Sequence, residues 1–107
     1  MLAVQHWLGY DMSKITESAK GESCTIRLPS VCNHNNETVV LAHINGVRFG
    51  HGTGQKVNDF HGAYACSSCH DAVDGRIKTH YEHDELKLAH LEGVIETQMR
   101  LKQKGLM

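Results

Sequence analysis

The side chains with chemistry to offer in this 107-residue chain are its nine histidines and four cysteines. The cysteines fall into two pairs, Cys24 with Cys32 and Cys66 with Cys69, spaced C-x7-C and C-x2-C. Thiolates are soft anionic ligands, and four of them suit a tetrahedral zinc ion at Zn–S distances of about 2.3 Å. The same four residues would also make two disulfides. The opening Met1-Leu2-Ala3-Val4-Gln5-His6-Trp7 has neither the positive n-region nor the long apolar h-region of a secretory signal. That points to the cytoplasm, a reducing compartment where disulfides are rare. Cys24, Cys32, Cys66 and Cys69 are therefore expected to hold one structural Zn²⁺.

Two histidines occupy positions where a fold can aim them. His43 ends the apolar, β-branched run Thr38-Val39-Val40-Leu41-Ala42-His43-Ile44, so a sheet would fix its direction. An ordinary imidazole, with a pKa of about 6.5, is mostly neutral at pH 7 and ready to take a proton. His70 follows Cys69 directly. If a helix opens at the cysteine knuckle, His70 and Asp74 stand one turn apart on one face. Such an imidazole and carboxylate suit Mg²⁺, Mn²⁺ or another divalent ion. Asp71 lies about 100° round that helix and reads as a cap or solvent group. His51 sits in the run Gly50-His51-Gly52-Thr53-Gly54, and His6, His34, His80, His83 and His90 read as surface or packing residues. Gly52-Thr53-Gly54 is too short for a P-loop, although its amides with Lys56 suit a phosphate. Arg27, Arg48, Lys56, Arg76 and Lys78 are the candidate phosphate contacts. Cys66-Ser67-Ser68-Cys69-His70 also spells a c-type haem attachment motif, with Met99 as a second axial ligand. Haem attachment needs export and leaves Cys24 and Cys32 unexplained. A thioredoxin-like role lacks its βαβ context.

The elements that must position these groups can be read coarsely. Ser13 to Lys20 predicts a short helix closed by Gly21, and 24–28 a short strand broken at Pro29. A strand ends at His43, a Gly-rich loop runs from Asn45 to Asn58, and a second strand covers Phe60 to Ala65. A short helix follows the knuckle and ends near Gly75. Asp84 is the expected N-cap of a long last helix, with Gly105 as its stop. Leu88, Leu91, Ile95 and Met99 form an apolar stripe read as core packing. Glu96 and Arg100 make an i,i+4 pair, and Gly93 marks a close contact.

Length bounds the answer to one domain. With 11 Lys and Arg against 12 Asp and Glu, the net charge of −1 excludes a strongly basic DNA-coating protein. No apolar run approaches the roughly 20 residues of a membrane span.

The order of these motifs resembles the HNH group of ββα-metal (His-Me finger) endonucleases, through Leu41-Ala42-His43-Ile44 and Cys66-Ser67-Ser68-Cys69-His70. It is closer still to the small prophage-encoded YbcO-like nucleases. Their C…P-x-V-C-N, E-T-x-V-L-A-H-I, G-T-G-x-K, a following Asp and A-C-x-x-C-H-D-x-x-D are met nearly in full between Ser13 and Met99. The resemblance implies a small α+β fold, a zinc-bound ββα-metal (HNH-like) core with a long C-terminal helix, over residues 12–107. Residues 1–11 would be an appendage. It implies a metal-dependent DNA endonuclease of phage or prophage origin, working in the bacterial cytoplasm. His43 would be the general base, His70 would stand at the cation, and Asp74, Asp59 and His61 would be the remaining candidate ligands. Two departures stand out. Many HNH enzymes carry an Asp just before the base, where this chain has Ala42. Their middle Asn falls at or near His61, with Asn58 and Asp59 close by. The alternative is a non-catalytic four-cysteine zinc module that binds DNA or a partner protein.

Overall fold

The computed structural model describes residues 12–44 and 58–107. The expected appendage over 1–11, together with His6, Arg48, His51 and Lys56, lies outside the described residues.

The β-branched run before His43 forms strand β1 (Val40–His43), which pairs antiparallel with β2 (Gly62–Ala65). The register runs from Val40 opposite Ala65 to His43 opposite Gly62. Alternation along a strand puts Leu41, His43, Gly62 and Tyr64 on one face and Val40, Ala42, Ala63 and Ala65 on the other. The second face is small-residued where the last helix crosses it. That helix, α3 (His83–Gln103), buries His90, Gly93, Val94, Thr97 and Leu101. A Cβ on Gly93 would stand 3.0 Å from Ile26 Cγ1 and Thr25 Oγ1 and 3.2 Å from Ala63 Cβ. The close contact expected at Gly93 is therefore real.

The opposite face of the sheet meets α1 (Met12–Glu17) and the turn after it. The Tyr64 hydroxyl lies 2.7 Å from Ser18 Oγ, and Ile15 is fully buried. The turn closes at Gly21, where φ is +78°. After β2 comes α2 (Ser67–Val73), whose N-cap is Cys66.

Three expectations need correction. No strand forms over 24–28. Thr25 bonds Tyr64 O through its amide at 2.7 Å and its hydroxyl at 2.9 Å. The chain then turns away at Arg27, whose φ of +47° no strand accommodates. Asp84 does not cap α3: it lies in the first turn, and the preceding Glu82 amide donates to Glu85 Oε1 at 2.7 Å. Of the stripe Leu88, Leu91, Ile95 and Met99, only Leu91 packs partly against the core, and the other three are exposed. The buried face of α3 is instead His90, Gly93, Val94, Thr97 and Leu101, with Gly93 placed where the helix comes closest to Ala63 of the sheet. Gly105 does stop the helix, at a φ of +77°.

Ion pairs tie α3 to the segment before the first strand. Glu96 takes Arg27 Nη2 at 2.6 Å and Arg100 Nη2 at 2.7 Å, the second being the expected i,i+4 pair. Arg27 beside it holds the Glu96 carboxyl below the usual range.

Candidate active site and metal centre

The four cysteines come together. One ligand atom from each of Cys24, Cys32, Cys66 and Cys69 lies within 4.8 Å of the other three. Cys32 Sγ and Cys66 Sγ are 3.8 Å apart. A tetrahedral ion at 2.3 Å from each sulfur needs S···S separations of about 3.8 Å, so the donor set fits such an ion with small adjustments. All four cysteines are free thiols, and Cys24, Cys66 and Cys69 are buried.

Local structure explains the cluster. The positive φ of Arg27 and Ser30 folds 24–32 into a tight double turn. Arg27 N–H donates to Cys24 Sγ at 3.4 Å, and Cys69 N–H to Cys66 Sγ at 3.4 Å. Amide donors on sulfur favour the thiolate. The Cys69 thiol bonding to Cys24 holds Cys24 far below the usual thiol range, at about 4. Cys69, which keeps the proton of the pair, is pushed up by that same bond and by burial. Burial also raises Cys32, to about 11. The metal-free cluster thus retains protons that a cation would displace.

His43 does not stand alone at its strand end. Its Nε2 lies 2.7 Å from Asp59 Oδ1, and both side chains are partly buried. Asp59 opens the turn Asp59–His61 just before β2, behind the N-cap Asn58. Its other oxygen accepts from Thr16 Oγ1 of α1 at 2.6 Å. A neutral imidazole bonded to a carboxylate through Nε2 carries its proton there, which leaves Nδ1 as the acceptor. Among the described residues, no hydrogen bond reaches Nδ1. Gly62, directly across from His43, has no room for a side chain, since its Cβ would lie 2.6 Å from Leu41 Cγ.

His70 and Asp74 form a second pair. His70 Nε2 is 3.1 Å from Asp74 Oδ2, at i,i+4 as the spacing requires. Arg76 donates Nη1 to the same oxygen at 3.0 Å and Nε to Asp71 Oδ1 at 2.8 Å. Asp71 therefore pairs with Arg76 rather than capping a helix. His61 contributes its carbonyl to Ile44 N–H at 3.0 Å. Among the described residues, only the four cysteines make a cluster of three or more ligating side chains. Of the other phosphate candidates, Arg27 and Arg76 are committed to carboxylates, and Lys78 is exposed.

One histidine was underrated by sequence. His90 on α3 is 3% exposed, and its Nε2 donates to the carbonyl of Ala42, 2.8 Å away and one residue before His43. Burial lowers its pKa, while Asp74 and the Ala42 bond push it up and His70 and Lys87 push it down. His90 thus senses both the strand that carries His43 and the helix that carries His70. Helical position alone gave no signal of this, since His90 stands one residue before the apolar Leu91.

Fold and site define a small α+β protein with a cluster of four cysteines that could hold a metal ion and a carboxylate-bound histidine at a strand end. The chain belongs to the YbcO family: residues 13–106 match the family model described as "Putative nuclease YbcO". It is 40% identical over 97 residues to the putative nuclease YbcO of Escherichia coli strain K12, covering 90% of this chain and 98% of that one. The putative nuclease ybcO of Enterobacteria phage 82 matches with the same identity and coverage. A solved structure of a putative bacteriophage protein from Escherichia coli strain K-12 superposes with a TM-score of 0.71 at 37% identity, covering 84% of this chain and 98% of that one. Among the described residues, no helix is long and apolar enough to cross a membrane.

Proposed function

We propose that this protein is an HNH-type, metal-dependent DNA endonuclease of phage origin, acting in the cytoplasm of the bacterial host. The names carried by its relatives support a nucleic-acid substrate. The observation that carries the mechanism is the 2.7 Å bond between His43 Nε2 and Asp59 Oδ1. Asp59 fixes the tautomer and direction of the ring and stabilises the imidazolium that forms when Nδ1 takes a proton from the attacking water. Thr16 holds the second carboxylate oxygen. Zn²⁺ in the four-cysteine cluster is structural: it ties 24–32 to the start of α2, and through α2 it sets His70 and Asp74. Those two residues would hold a second divalent ion, an imidazole and a carboxylate being suitable donors, once Arg76 gives up Asp74 Oδ2. That ion, when bound, supplies charge to stabilise the scissile phosphate and the leaving oxygen. His61, at the end of the turn that Asp59 opens, is the remaining candidate ligand. The folded unit spans residues 12–107, and residues 1–11 are an appendage to it.

A second reading is favoured by one observation. Where related enzymes place an acid before the base, Ala42 is 1% exposed and its carbonyl is taken by His90. A zinc module that binds DNA without cutting it would carry this pattern. Plasmid nicking in Mg²⁺ or Mn²⁺ decides between them. The native chain nicks, and His43→Ala loses at least about 10²-fold in rate with zinc content and DNA affinity unchanged. A native chain that binds DNA but cuts none with any divalent ion leaves the binding module.

A further inference from the structure

α3 carries a second apolar face that the fold does not cover. Leu88, Ile95 and Met99 are 57%, 60% and 61% exposed. Gln98, Lys102 and Met107 extend this face into a groove beside Ile95 and Met99. Leu88, Ile95 and Lys102 follow the three- and four-residue steps of a helix-pairing seam together with Leu91, which is partly buried against the chain's own core, and Gln98 and Met99 flank it. Surfaces of this kind mark a protein partner more often than bare solvent. The charges beside it say which partner. The N-terminal half of the face is flanked by Asp84, Glu85 and Glu92, and the C-terminal half by Lys102. Such a surface repels nucleic acid at one end, yet it is complementary to itself when a second copy runs antiparallel.

We infer that α3 pairs with α3 of a second copy of this chain, antiparallel, about a two-fold axis at Ile95. Ile95 then meets the partner's Ile95, and Leu91 packs against the partner's Met99. Lys102 lays its stem over the partner's Leu88 and reaches the partner's Asp84 and Glu85. The opposite face of α3 remains packed on β2, so the two metal centres and the two His43 sites lie outside the helix pair. This inference is independent of the nuclease reading.

Sedimentation of the full chain over a wide concentration range tests it. The native protein shifts from 11.9 kDa towards twice that mass. Ile95→Lys and Ile95→Asp each sediment as monomers with native zinc content and helical signal, because like charges meet on the axis. Mixed in equal amounts, the two variants recover the dimer mass. A native chain that stays at monomer mass overturns the inference. So do variants that still dimerise, or a mixture that remains monomeric.

Discussion

His90 donates its Nε2–H to the carbonyl oxygen of Ala42 at 2.8 Å, tying the middle of α3 to the residue that precedes His43. A buried carbonyl left without this donor, and the cavity left by the ring, make His90→Ala costly. The expected loss is about 1–3 kcal/mol, measured as a drop in the urea midpoint. His90→Gln should recover part of it.

The same burial makes stability depend on pH. The pKa of His90 is lower in the fold than in the unfolded chain, chiefly through desolvation. The unfolded state therefore binds the proton first as pH falls. The contribution of the neutral ring is fully present above the unfolded pKa of about 6.5 and is lost as pH drops from there through the folded value. Asp74 opposes the shift, and His70 and Lys87 add to it. Between pH 7.5 and 5.5 the melting temperature of the native chain should fall more steeply than that of His90→Gln. Equal slopes would remove His90 from the account.

Asp59→Asn keeps a hydrogen-bonding group beside His43 but removes the charge that steadies the imidazolium. Its nicking rate should fall by roughly 10–100-fold, with zinc content intact. Thr16→Val, which touches only the second carboxylate oxygen, should have a smaller effect in the same direction. An Asp59→Asn protein as fast as the native chain would show that the pair has no part in cutting.

Purified without added metal, the chain should carry about one zinc, with sulfur at about 2.3 Å by X-ray absorption. Cys66 is both a candidate ligand and the N-cap of α2, its Sγ accepting Cys69 N–H. Cys66→Ser should therefore lose metal and helical signal together, and a strong chelator should unfold the native chain. Full zinc retention in the serine variant would contradict the four-cysteine site.

Gly93→Ala pits two effects against each other. Alanine favours helix over glycine by about 1 kcal/mol. The new methyl, however, meets Thr25 Oγ1 and Ile26 Cγ1 at 3.0 Å and Ala63 Cβ at 3.2 Å. Ala63 Cβ is fixed to its strand and has no rotamer to move through, so overpacking of about 1–3 kcal/mol should win. A rise in the urea midpoint would show that α3 shifts freely on the sheet.

Chemistry was easier to read in the sequence than packing. Thiol spacing is local and specific, and the cysteines cluster as their pairing implied. The strand before His43 was equally plain, because β-branched residues have few alternatives. Asp59 was singled out as a carboxylate near the site, but not as the partner of His43, since nothing in a linear chain marks a contact sixteen residues away. The last helix was legible in extent and misread in orientation. Its buried side is made of His90, Gly93, Val94, Thr97 and Leu101, a mixed set in which Gly93 allows the close approach to Ala63. An apolar pattern points to whatever a helix packs against, and does not say whether that lies in the same molecule.

A sheet of two strands has little interior, and its outer margins invite other chains to add on. On the β2 side that margin is closed at Tyr64. Its N–H is held by Thr97 Oγ1 at 2.9 Å and its carbonyl by Thr25 N–H at 2.7 Å. Side-chain and loop groups thus stand where a third strand would have docked. The middle of β2 is barred from edge-to-edge aggregation, and its Tyr64 amide should exchange with solvent as slowly as one in the centre of a much wider sheet.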